Sequence, residues 1–202
     1  MNAKNLNRFK KIKGIIALEK YLLPAPETIF IFDFEKQEKE IDVFIKGRDY
    51  LMIRSDKEND ADFCPHNLTC PKNEAKDFIE GLTAENYAVI LQECIPWKED
   101  KISGNVLTLR KDLLIELMKG GPLTLLNRDG QVDACVKVRR GKPKKIECSG
   151  EKIISKKDLD DILRLVEHLP PYKIAEFSIG PDWLYFWQII DDKTAKKLET
   201  AC

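Results

Sequence analysis

AEFSIGPDWLYFWQII, residues 175–190, decides how this chain is read. Phe177 and Ile179 alternate with polar neighbours up to Gly180-Pro181-Asp182, a turn signal, and an aromatic run follows it, so the stretch reads as two antiparallel strands. Two polar side chains break the apolar pattern: Glu176 heads the first strand, and Gln188 interrupts the second. On the residues alone, both fit a solvated sheet face, where most such groups lie.

With 202 residues the chain can bury a substantial core, either as one domain or as two small lobes sharing a cleft. Lys plus Arg (34) balances Asp plus Glu (34), so no global field argues for nucleic acid or an anionic membrane. No run approaches the roughly 20 apolar residues of a spanning helix, and MNAKNLNRFKKIKG at the N-terminus lacks the apolar stretch of a secretory signal. A cytoplasmic protein is expected, its six cysteines reduced rather than paired.

Along the chain, Ile12, Ile15, Ile16, Leu18 and Leu22 have near-helical spacing, and Pro24 and Pro26 stop the helix. ETIFIFDFE (27–35) reads as a strand by its alternation through Asp33 and Phe34, and YLMIRS (50–55) as a second strand. Residues 55–73 are polar and read as a long loop before the helical stretch NEAKDFIEGL (73–82). YAVILQECI (87–95) and VLTL (106–109) are strands, whereas KDLLIELMKGG (111–121) reads as a short helix ended by glycines. LTLL (123–126), VDACVKV (132–138) and KKIEC (144–148) form an antiparallel meander, and SKKDLDDILRLVEHLP (155–170) a helix with Ser155 as N-cap. Helices laid on sheets make an α+β protein.

Four stretches, in order, resemble the nucleotide-binding domain of phosphoenolpyruvate synthase and pyruvate phosphate dikinase, a branch of the ATP-grasp fold. KGIIALEKYLLPAPET (13–28) is similar to that family's opening helix and proline corner, with Lys13 at its phosphate-contacting lysine. YLMIRSD (50–56) matches a strand ending in Arg-Ser, which places Arg54 on the nucleotide's phosphates; a guanidinium fork suits two phosphate oxygens. YAVILQECIPWKEDKISGNVLTL (87–109) resembles the strand, Val-Gln, loop and Ser-Gly-Val run, which implies that Gln92, Glu93 and Ile95 lie at the adenine. IELMKGGPLT (115–124) places Glu116 at a family glutamate.

The opening quotation resembles the family's closing hairpin, whose glutamate and glutamine bind Mg²⁺ between triphosphate oxygens. The resemblance thus implies Glu176 and Gln188 as metal ligands, ATP and Mg²⁺ as cofactors, and two small lobes of mixed or antiparallel sheet, residues 1–95 and 96–202, around a nucleotide cleft. Two departures stand out: Ile190 replaces an arginine, and DKENDADFCPHNLTCP (56–71) replaces a glycine-rich loop. The family's phosphohistidine domain and pyruvate barrel have no counterpart in these residues, so a separate phosphohistidine or acceptor protein would have to complete that reaction.

CPHNLTC (64–70) offers a second chemistry, because thiolates and imidazole at Cys64, His66 and Cys70 are ligands zinc favours. Three are one short of a tetrahedral site, and the spacing is not the paired CxxC of zinc ribbons, so the loop reads first as an ordinary thiol-bearing loop. VKVRRGKPKK (136–145) concentrates basic residues on a hairpin with no interleaved aromatics, which argues for a charged sheet edge rather than RNA binding. His168, among apolar residues at a helix end, reads as a capping or packing group.

Three functions remain: a minimal MgATP-dependent phosphotransferase or activating enzyme, an inactive nucleotide-binding or interaction module with the same fold, and a small metal-binding protein using the cysteine loop.

Overall fold

Apolar residues at helical spacing, Ile12, Ile15 and Leu18, fold Lys10–Lys20 into helix α1. Its first turn contains no acidic residue, and Asp56 supplies the charge from 44 and 45 positions further along: Oδ2 accepts from the N–H of Lys11 at 2.7 Å and of Ile12 at 3.1 Å. Two donors that a helix leaves unpaired at its start are thereby satisfied. The structure, a computed structural model, describes residues 6, 8–58, 64–121, 132–141, 145–192 and 194. The chain divides into two compact units, residues 1–16 with 26–95, and residues 17–25 with 96–202.

The first unit is built on a four-stranded antiparallel sheet in the order β1 (Thr28–Ile31), β4 (Ala88–Glu93), β2 (Tyr50–Asp56), β3 (His66–Pro71). Helices α2 (Phe34–Ile45) and α3 (Lys72–Ala84) cover one face, packing Ile41, Phe44, Ile79 and Leu82 on Ile31, Leu51, Ile53 and Leu91. Ile12 and Ile15 of α1 pack with Ala88 and Ile90, in a separate cluster.

Two expectations fail in this unit. The strand read through residue 34 stops at Ile31, because the Asp33 side chain accepts from Lys36 N–H at 3.2 Å and starts α2. The loop read over 55–73 is shorter, since His66–Pro71 pairs with β2 and helix α3 begins at Lys72.

In the second unit a six-stranded sheet runs in the order β10 (Leu184–Asp191), β9 (Lys173–Ile179), β5 (Ile102–Thr108), β6 (Asp112–Lys119), β7 (Ala134–Arg139), β8 (Ile146–Gly150). Every pairing in both sheets is antiparallel. Helix α4 (Lys156–Val166) begins at Ser155, whose hydroxyl accepts from Asp158 N–H at 3.1 Å, and buries Leu159, Ile162, Leu163 and Val166 in the core formed with the sheet. The helix expected over 111–121 is strand β6: Leu113, Ile115 and Leu117 alternate into the core opposite Val138, Val136 and Ala134. LTLL (123–126) lies outside the described residues.

Gly104 sits mid-strand in β5. A Cβ there would strike the carbonyl oxygen of Glu116 on the neighbouring strand and the Phe177 ring, whose Cζ would be 2.7 Å away, so glycine is what admits the Phe177 ring. Among the described residues, no helix is long and apolar enough to cross a membrane.

Candidate functional site

Glu176 on β9 and Gln188 on β10 face each other in register, and the Gln188 amide donates from Nε2 to Glu176 Oε2 at 2.7 Å. A β-bulge sets this pairing. Phe186 is opposite Phe177, so a regular ladder would bring Trp187 opposite Glu176; instead Trp187 is the extra residue, and Gln188 takes the place. The bulged indole is itself held, donating from Nε1 to Ser178 Oγ at 3.1 Å.

The same register continues across the sheet. Asn105 on β5 pairs with Glu176, Glu116 on β6 with Asn105, and Cys135 on β7 with Glu116. Paired residues share a face, so Gln188, Glu176, Asn105, Glu116 and Cys135 form one row on the face opposite the residues that pack with α4. All five are partly buried. Burial, together with the Glu116 carboxylate, pushes the Cys135 thiol up from its ordinary value. The Asn105 Oδ1 atom is buried and accepts no hydrogen bond.

Near the turn of the hairpin, Asp100 is 6% exposed and accepts from Trp183 Nε1 at 3.1 Å. Burial raises its carboxyl above the usual carboxylate range, although the bonds from Trp183 and Ser178 oppose this. The Trp183 indole lies where a side chain on Gly180 would be, which explains the glycine in that turn.

The first unit carries the other sequence candidates. Arg54 on β2 is partly buried and shares a face with Met52, opposite Ile90 and Gln92 on β4. Lys13 is exposed on α1, beside Ile12, which packs with Ile90. Gln92 is 1% exposed; its Nε2 donates to Thr28 Oγ1 at 3.0 Å, and its Oε1 is buried without a partner. Glu93 points to the other side of the strand, where its carboxylate accepts from Glu27 N–H at 3.1 Å. Ile95 is buried just beyond β4.

The zinc reading receives no support from geometry. Cys70 is fully buried opposite Leu51 in the core, with its thiol pushed up by burial, whereas His66 is exposed four residues earlier. Among the described residues, no three His, Cys, Asp or Glu side chains gather to hold a metal ion.

Two carboxylates offset part of the charge of the basic hairpin: Arg139 bonds Asp112 at 2.8 Å, Lys137 lies 3.7 Å from the same carboxylate, and Lys145 pairs with Glu147 at 2.9 Å. Lys142 and Lys144 lie outside the described residues. His168 packs against the Tyr21 ring with Nε2 2.9 Å from the Tyr21 carbonyl oxygen.

Sequence reasoning missed Asn105, Asp56 and Asp100. Asn105 was the most visible of these, an amide in the middle of the apolar strand ISGNVLT, where asparagine is disfavoured.

No family pattern matches the sequence, and no curated protein does. Solved structures do. D-alanyl-alanine synthetase A from Vibrio cholerae aligns over 92% of this chain and 55% of its own, with a TM-score of 0.57 and 11% identity. The N5-carboxyaminoimidazole ribonucleotide synthetase, solved as an ADP complex, aligns over 93% and 46%, with TM-score 0.54 and 12% identity. A RimK domain ATP-grasp protein from Sphaerobacter thermophilus aligns over 94% and 64%, with TM-score 0.52 and 14% identity. The fold is therefore ATP-grasp, and the chain spans less than two thirds of each of these structures.

Proposed function

We propose that this chain binds MgATP and transfers or activates through its terminal phosphoryl group, with a small molecule or a separate protein as acceptor. The observation that carries the reading is the bulge that sets Gln188 opposite Glu176 on an ATP-grasp sheet. A carboxylate and an amide oxygen are the hard donors Mg²⁺ takes, usually one or two from protein with water and phosphate completing the octahedron. Bound there, the ion would neutralise charge on the triphosphate.

Lys13 and Arg54 are proposed as phosphate contacts, as the dikinase resemblance implies. Lys13 brings three N–H donors on a flexible stem, and Arg54 offers a planar fork. Gln92 and Ile95 are proposed at the base, with the buried Gln92 Oε1 as an acceptor for an amino group; Glu93, whose carboxylate is engaged with Glu27, would serve only through its main chain. Glu116 is proposed on the nucleotide or its metal. In the reaction an acceptor oxygen attacks the terminal phosphorus, the bond to the bridging oxygen breaks, and ADP leaves; the protein contributes positioning and charge.

Two observations favour the second reading, an inactive nucleotide-binding module. Ile190 stands where the resemblance calls for an arginine and is 42% exposed, and the segment 57–65 that joins β2 to β3 contains no glycine.

Thermal unfolding with ATP, with and without Mg²⁺, tests the proposal. MgATP should raise the melting temperature of the wild type, because a ligand that binds only the folded state stabilises it by RT ln(1 + [L]/Kd). Arg54→Ala should weaken the response with or without metal, and Glu176→Gln should remove mainly its magnesium-dependent part. A wild type unmoved by millimolar MgATP overturns both nucleotide readings. Release of ADP, alone or with candidate acceptors, separates enzyme from module.

A further inference from the structure

We infer that Asn105 is a third protein ligand for the divalent cation proposed at Glu176 and Gln188; the inference rests on that reading. The dikinase resemblance does not supply it, since Asn105 is not among the residues to which that resemblance gives a role.

Asn105 lies on β5, the strand next to β9, and pairs directly with Glu176. Directly opposed residues on neighbouring strands hold their Cβ atoms about 5 Å apart, within common reach of one ion. Glu176 is therefore flanked on both sides by amides, Gln188 from β10 and Asn105 from β5. The two differ in one respect. The Gln188 amide is hydrogen-bonded to Glu176, while the Asn105 Oδ1 is buried and accepts nothing.

A buried amide oxygen without a donor is a cost to the folded chain, and such groups are rare enough in folded proteins to need a reason. Asparagine is also among the residues least suited to a strand interior, and its neighbours Val106 and Gly104 are fully committed to packing. A cation removes the cost, because a neutral amide oxygen is a hard donor of the kind Mg²⁺ and Mn²⁺ accept. Three oxygen donors with a single negative charge among them leave room for phosphate oxygens, which bring the remaining charge.

Two Asn105 variants, Glu176→Gln and one probe test this. The probe is Mn²⁺ with a non-hydrolysable ATP analogue, and uptake by the protein is read as the loss of the free-ion electron paramagnetic resonance signal beyond that in a protein-free mixture of the same Mn²⁺ and analogue. Asn105→Leu should weaken Mn²⁺ binding on the order of tenfold or more. The metal-free melting temperature of the same variant should hold or rise, because the orphan oxygen is gone; a structural asparagine would instead lower it. Asn105→Asp keeps the shape, adds charge and should bind Mn²⁺ more tightly than wild type.

Wild-type uptake of Mn²⁺ with Asn105→Leu unchanged overturns the inference and leaves the Glu176–Gln188 reading standing. If Asn105→Leu does not fold, Asn105→Asp decides: binding equal to or weaker than wild type overturns the inference. A wild type that takes up no Mn²⁺, and is matched by Glu176→Gln, overturns the underlying reading and this inference together.

Discussion

Gln188 stands opposite Glu176 only because Trp187 is an extra residue in its strand. Removing the bulge by register slip would turn Gln188 toward the core and present an indole to the carboxylate, since a shift of one residue exchanges the faces of a strand. The polarity of the closing hairpin is thus set by one extra residue in a strand rather than by composition.

Gln188→Glu puts two carboxylates directly opposite each other and removes the 2.7 Å hydrogen bond. Without divalent cation the variant should lose about 1–2 kcal/mol, the sum of a lost bond and a like-charge cross-strand pair. Mg²⁺ with ATP should return part of that loss. Urea denaturation under the two conditions measures both, and a variant as stable as wild type without cation would show that the pair is solvated and independent.

Asp56→Ala leaves the first N–H groups of α1 unpaired in a buried place, Asp56 being 4% exposed. The expected loss is about 1–2 kcal/mol, at the upper end for a helix cap because the carboxylate bonds two donors and faces the positive end of the helix. Equilibrium denaturation checks the size; a change below a few tenths of a kcal/mol would show that water replaces the carboxylate.

Asp100 supplies a pH dependence of definite sign. Its folded carboxyl titrates above the unfolded one because of burial, so the native chain binds more protons, and its contribution to stability falls as pH rises from about 4 through the raised value. Asp100→Asn removes that penalty and keeps an acceptor for Trp183. The variant should exceed wild type in denaturation midpoint at neutral pH, with the difference closing toward about pH 4. A constant difference across that range would assign the effect to packing instead.

Cys70 in the core and His66 on the outside leave the cysteine loop without a converging ligand set. Purified protein should carry well under one equivalent of zinc by elemental analysis, and chelator should leave its melting temperature unchanged. Zinc that holds a fold together shows itself by both measures.

The hairpin over 173–191 was legible from its turn signal, helix α4 from its helical spacing and Ser155 cap, and strand β4 from a continuous apolar run too short for a helix. KDLLIELMK was not, because five apolar residues in a run from 113 to 118 satisfy both helical and strand spacing, and Gly120-Gly121 imitates a helix stop. Only the cross-strand partners Ala134, Val136 and Val138 settle the period.

Helix α2 was hidden for a different reason. Three alternating phenylalanines ran past Asp33, and the buried Ile41, Phe44 and Ile45 that define the helical face come late, after a charged stretch. Asn105 and Glu116 could not be joined to Glu176 without a register, which arises from pairing across the sheet and leaves no local trace.

The contact at Gly104 limits which sequences can adopt this sheet. An added methyl group would meet a side chain, Phe177, and a main-chain oxygen, that of Glu116. Shrinking Phe177 answers the first obstacle and leaves the second, because every residue type at 116 carries the same carbonyl. A library randomised at 104 and 177 together should therefore return varied residues at 177 and glycine alone at 104, so that among homologues this position would be invariant through sterics, without any contact to a ligand.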